Sequence, residues 1–97
     1  MRSVKKEGKK RDKELREDLL EIMQRAARDT DLLDAFLCDI LTPREYRDIA
    51  RRLQIVKELK KGISHREIAK NLGVGVATIE RGVRVIENKS GGMNRLL

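Results

Sequence analysis

Residues 64–87 read SHREIAKNLGVGVATIERGVRVIE, and the fold turns on this stretch. Ser64 is followed three residues later by Glu67. At that spacing a hydroxyl accepts from a first-turn amide while the carboxylate reaches back, so a helix starts at about His65. The helix is short, because Leu72-Gly73 ends it and Gly73 permits the positive backbone angle of a tight turn. Beyond Val74-Gly75 the apolar residues Val76, Ile79, Val83 and Ile86 fall at helical spacing, and a second helix runs to about Glu87. Ile68 and Leu72 point into the pair, Ala69 is small where the helices cross, and Val74 and Ile79 close the core. Two short helices joined by a tight glycine turn form a helix-turn-helix, the general form that sets a helix into the DNA major groove. A plain helical hairpin needs Ile68, Leu72 and Ile79, but makes no demand for Ala69 and Gly73 together.

Working outward, Thr42-Pro43-Arg44-Glu45 combines a capping threonine, proline at the first helical position and a glutamate three residues after the cap, so a long helix begins there. Ile49, Leu53, Val56 and Leu59 form its apolar face, with Ile55 flanking, until Gly62 supplies a left-handed stop. Upstream, Thr30 is placed to cap a helix over Asp31–Ile40, in which Leu32, Leu33, Phe36, Leu37 and Ile40 are too many for one narrow face. A first helix runs from Leu15 through Leu19, Ile22, Met23 and Ala26 to about residues 27–29. Residues 1–13 mix Lys, Arg, Asp and Glu with almost no apolar side chains and read as a mobile charged arm, either a solubilising tail or frayed helix start, or one that touches phosphates. Residues 14–97 then form a single all-α domain. Lys89-Ser90-Gly91-Gly92 breaks the last long helix, and Met93–Leu97 is too short to hold helix unless it docks. No strand-period alternation and no internal repeat occurs.

Composition narrows the partners. In 97 residues, 23 Lys and Arg against 16 Asp and Glu give a net charge of +7, which suits a polyanionic partner, nucleic acid or an anionic membrane, and basicity alone does not choose between them. A monomer of this size removes only about 60–65% of its unfolded surface from water, so a second copy is the expected cover for the surplus apolar residues. No stretch approaches the roughly 20 apolar residues of a bilayer span, and the N-terminus lacks a signal-peptide apolar region. A cytoplasmic, nucleoid-associated protein with no membrane contact is the expectation. The single cysteine, Cys38, sits in an apolar run and reads as a buried thiol. The only histidine, His65, has neither a paired nucleophile nor metal-ligand spacing, so neither enzyme chemistry nor a metal is expected.

If the second helix reads DNA, its first turn faces the groove. There Gly75, Val76 and Ala77 allow close backbone approach and offer apolar contact to thymine methyls. Arg66 and Lys70, one turn apart on the preceding helix, are placed for phosphate or a guanine edge, and Arg84 extends the positive surface. Glu80 is repelled by phosphates but can accept a hydrogen bond from cytosine N4.

The run LTPREYRDIARRLQIVKELKKGISHREIAKNLGVGVATIERG, residues 41–82, resembles the core of the Trp repressor family of bacterial regulators. The resemblance implies an intertwined helical homodimer that represses transcription from a double-stranded operator, with L-tryptophan as corepressor. It further implies that Arg52 and Arg81 lie on the two faces of the indole and that Arg81 meets the carboxylate. Thr42, Thr78 and Gly82 would complete the pocket, Ile55 and Val56 would line it, and carbonyls near the partner's Asp39 and the partner's Leu41 would receive the ammonium. Val85 stands where well-known members carry a serine whose hydroxyl assists the amino group. The alternative within the resemblance is a regulator of the same fold that answers to another ligand or to none.

Overall fold

The computed structural model describes the backbone from residue 2 to residue 97 and the side chains from residue 11 onward. Its order is α1 (Arg2–Ala26), α2 (Thr30–Ile40), α3 (Pro43–Lys60), α4 (His65–Leu72), α5 (Val76–Glu87) and α6 (Gly92–Leu96), with no strand among the described residues. The all-α expectation holds. The chain divides into two compact units, one ending at Thr42 and one from Pro43 to Leu97. Among the described residues no helix is long and apolar enough to cross a membrane.

In the first unit α1 starts upstream of Leu15, the first apolar residue of its stripe, and its backbone runs through the segment read as a charged arm, whose first ten side chains lie outside the described residues. Among its described side chains, Ala26 is the one buried. The cap of α2 is Asp29 and not Thr30. The Asp29 carboxylate accepts from the amides of Asp31 at 3.0 Å and Leu32 at 3.4 Å, and Thr30 becomes the first helical residue. A carboxylate is at least as good a cap as a threonine hydroxyl, and its charge also complements the helix dipole. Cys38 is exposed, contrary to expectation, with Sγ 3.9 Å from Asp34 Oδ1. The half-buried residues of α2 are Leu33, Phe36 and Leu37, at three- and four-residue spacing, and position 38 falls off that stripe.

The second unit is built on one fully buried isoleucine from each of three helices, Ile55 of α3, Ile68 of α4 and Ile79 of α5. Leu59, Ile63, Ala69, Leu72 and Val74 pack around them. Burying each isoleucine contributes about 1.5–3 kcal/mol, and all three must be buried together for any to gain it. The helix ends make this possible. Gly62 has φ +81°, its amide donates to the Leu59 carbonyl and the Ile63 amide to that of Glu58, a Schellman closure that turns Ile63 back onto Leu59's side of the core. Ser64 caps α4 by accepting from the Glu67 amide at 3.2 Å, and Gly73, at φ +64°, ends it. These are the boundaries the sequence predicts.

Candidate nucleic-acid interface and ligand cavity

Helices α4 and α5 form the expected helix-turn-helix. At its tip, Val76 is 62% exposed, although the later apolar residues of the same helix, Ile79, Val83, Val85 and Ile86, are buried or half-buried. Gly75 is the N-cap of α5, and no side chain accepts from the first-turn amides there. The beginning of α5 therefore presents a methyl surface beside backbone donors at the positive end of a helix dipole, which suits thymine methyls and phosphate oxygens. Ala77, Glu80 and Arg84 are exposed along α5, and Arg66 and Lys70 are exposed one turn apart on α4.

The other side of α5 borders a cavity of about 160 Å³ lined by Arg52, Ile55, Val56, Thr78, Arg81, Gly82, Val85 and Met93. That volume is on the scale of the roughly 150 Å³ apolar cavity that accepts one benzene-sized ring. The walls are chemically divided. Ile55 and Val56 are buried and apolar, Val85 and Met93 are half-buried, and the two arginines stay exposed to solvent. Guanidinium groups stack on aromatic faces and pair bidentately with carboxylates, so the site has the chemistry for a planar ring carrying an anionic group.

Gly82 explains why α3 and α5 lie so close. A Cβ built on it would sit 2.7 Å from Ile55 Cγ2 and 3.2 Å from Leu59 Cδ1, so only hydrogen fits at this crossing. A second, shallower groove of about 290 Å³ opens between α3 and the α4–α5 turn, lined by Asp48, Arg51, Arg52, Gly73, Val74, Gly75 and Thr78. Arg52 and Thr78 border both spaces.

Seven of the eight residues named for the ligand pocket from sequence thus converge on one cavity: Arg52, Ile55, Val56, Thr78, Arg81, Gly82 and Val85. The eighth, Thr42, is the last residue of the first unit, immediately before α3. Sequence reasoning missed Met93, and also Asp48 and Arg51 of the second groove. Nothing in the run GGMNRLL marks Met93 as a wall residue. The usable signal was Asn94, an amide side chain placed just after a glycine turn, where it can satisfy the open carbonyls of the preceding helix.

The family model described as Trp repressor protein matches residues 14–97. A Trp operon repressor homolog of Vibrio vulnificus (strain YJ016) is 45% identical over 58 residues, 59% of this chain and 57% of the relative. One of Vibrio parahaemolyticus serotype O3:K6 (strain RIMD 2210633) is 39% identical over 67 residues, 68% of this chain and 65% of the relative. One of Vibrio atlanticus (strain LGP32) is 36% identical over 75 residues, 76% of each. The chain spans 57% and 65% of the length of the first two of these relatives.

Proposed function

This chain belongs to the Trp repressor family, and on that premise we propose that it is a sequence-specific DNA-binding transcriptional repressor, working as a homodimer on a double-stranded operator with L-tryptophan as corepressor. The observation that carries the proposal is that α5 has two working faces. Val76, Ala77, Glu80 and Arg84 are exposed for the groove, while Thr78, Arg81, Gly82 and Val85 line the cavity. A ligand seated there bears directly on the helix that reads DNA. Its effect on DNA affinity equals its differential affinity for the groove-competent orientation of α5, and DNA must tighten ligand binding by the same factor.

In this reading Arg52 and Arg81 take the faces of the indole, Arg81 pairs with the carboxylate, and Ile55, Val56 and Val85 hold the ring's apolar edge. Gly75, Val76 and Ala77 approach the bases, and Arg66, Lys70 and Arg84 contact phosphates, with Glu80 left to accept from a cytosine amine. Homodimerisation is supported by the first unit, where Leu15, Leu19, Leu20, Leu32 and Ile40 are all exposed. Two heads of a symmetric dimer would enter successive major grooves about 34 Å apart.

One observation favours a second reading, a regulator of this fold that answers to another ligand or to none. Val85 turns methyl groups, not a hydroxyl, into the cavity and so offers nothing to an ammonium. Binding to operator-containing duplex, measured against salt with and without L-tryptophan, tests both. The expected slope of log affinity on log salt is about −0.9 per phosphate contact, with tighter binding in L-tryptophan. A flat salt response refutes DNA binding. Calorimetric silence at millimolar L-tryptophan with intact duplex binding selects the second reading. Arg81→Ala should abolish any heat seen with wild type.

A further inference from the structure

We propose that Met93 is the residue by which the cavity selects the ring of its ligand, and that Asn94 is the positioning residue that holds Met93 there. The inference rests on reading the cavity as an aromatic-ligand site. Met93 reaches the cavity from α6, a helix of five residues, far below the length at which a helix is stable alone. Among the described residues, the side-chain hydrogen bonds that tie α6 to α5 and its exit turn come from Asn94. Asn94 Nδ2 lies 2.8 Å from the Ile86 carbonyl oxygen, 2.9 Å from that of Asn88 and 3.3 Å from that of Val85. An amide nitrogen carries two protons, so the two shorter contacts are the full bonds. They fall on carbonyls at the end of α5 and in its exit turn, where intrahelical donors run out. The turn into α6 has no slack, because a Cβ on Gly91 would lie 3.0 Å from the Asn88 carbonyl oxygen and side-chain nitrogen. Asn94 thus pins α6 to the same helix that carries Thr78, Arg81, Gly82 and Val85 into the cavity.

The division of labour in the walls points to Met93 as the selective one. The arginines recognise a ring face and an anion, which any aromatic carboxylate possesses. Ile55 and Val56 are fully buried parts of the close-packed α3–α5 crossing and cannot yield. Met93 is half-buried, unbranched and polarisable, and its sulfur makes favourable contacts at ring edges. The size and edge shape of the ring are therefore read against a thioether whose own position depends on one amide.

The test is calorimetric titration of the full chain with L-tryptophan, for wild type, Met93→Ala, Met93→Leu, Asn94→Ala and the Met93→Ala/Asn94→Ala double variant. Removing the thioether should raise Kd roughly five- to tenfold, whereas Met93→Leu, which keeps the volume, should stay within about threefold. Asn94→Ala should match Met93→Ala, and the double variant should lose nothing further, a coupling that a purely structural role of Asn94 would not produce. A measurement on the unmutated chain guards against misfolded variants. With methionine methyls labelled, the Met93 signal should move upfield on adding L-tryptophan while that of Met23 stays fixed. An unchanged Kd in Met93→Ala, or an unmoved Met93 signal in a protein that binds L-tryptophan, overturns this proposal alone. A wild-type protein silent to L-tryptophan overturns the corepressor reading as well.

Discussion

Replacing Gly82 by alanine sets two opposed effects against each other, and the sign of the outcome reports how closely α3 and α5 cross. In the interior of α5 alanine gains about 1 kcal/mol over glycine, because the unfolded chain loses backbone freedom. Against this, the new Cβ meets Ile55 Cγ2 at 2.7 Å, some 0.7 Å inside ordinary contact, and Ile55 is 1% exposed. Leu59 Cδ1, at 3.2 Å, is the end of a flexible side chain and can move aside; the Ile55 methyl, on a β-branched carbon in the middle of α3, cannot without shifting a helix. Overpacking of this kind costs about 1–3 kcal/mol, so the net expectation is a loss of about 1 kcal/mol. Equilibrium urea unfolding followed by circular dichroism, at one fixed protein concentration because a dimer's midpoint depends on it, reads this as a lower midpoint with an unchanged slope. Ile55→Leu removes the branch methyl at nearly constant volume, so in that background Gly82→Ala should turn neutral or stabilising. Gly82→Ala stabilising the otherwise wild-type chain would refute the close crossing and with it the geometry of the cavity wall.

Three further outcomes follow from particular contacts. Ile68→Ala empties a site that is 0% exposed at the meeting of three helices and should cost about 2–5 kcal/mol, seen as a fall in Tm of at least 8 °C by differential scanning calorimetry. At Gly73 a Cβ would meet nothing within 4 Å, so alanine there tests backbone strain alone: φ +64° should cost about 1–2 kcal/mol, with Gly73→Asn in between, and equal melting of all three would contradict the left-handed end of α4. Lys70→Ala should weaken duplex binding about equally across sequences and lower the magnitude of the salt slope by about 0.9; an altered sequence preference with an unchanged slope would place Lys70 on a base instead.

Much of the second unit was legible in the sequence because its signals are local. A cap such as Ser64, the left-handed residues Gly62 and Gly73, and proline at the first position of α3 each act within one turn of chain, so residue type and spacing determine them. The inward rows of α4 and α5 follow from helical period alone, and Ile68 and Ile79 lie on them; in α3 the row read from the sequence runs through Ile49 and Leu53, which are 47% and 39% exposed, while Ile55, read as flanking it, is the residue the core buries. Even Val76 was readable, as an apolar residue at the leading turn of a helix whose later apolar residues face inward.

The first unit was less legible, since two adjacent residues, Asp29 and Thr30, can both cap, and the choice between them rests on the angle at which the chain enters α2. The position of Cys38 likewise depends on which of the apolar stripes of α2 meets α1. Beyond these, only tertiary structure decided what the cavity is. That Met93 reaches a wall shared with Arg52, 41 positions earlier, depends on a docking made by the Asn94 amide to the end of α5. That Gly82 must be glycine depends on a methyl of another helix. Helical period fixes the face on which a side chain emerges, but the distance between two faces is set by how every side chain in the crossing packs, and that sum is not carried by any one segment of sequence.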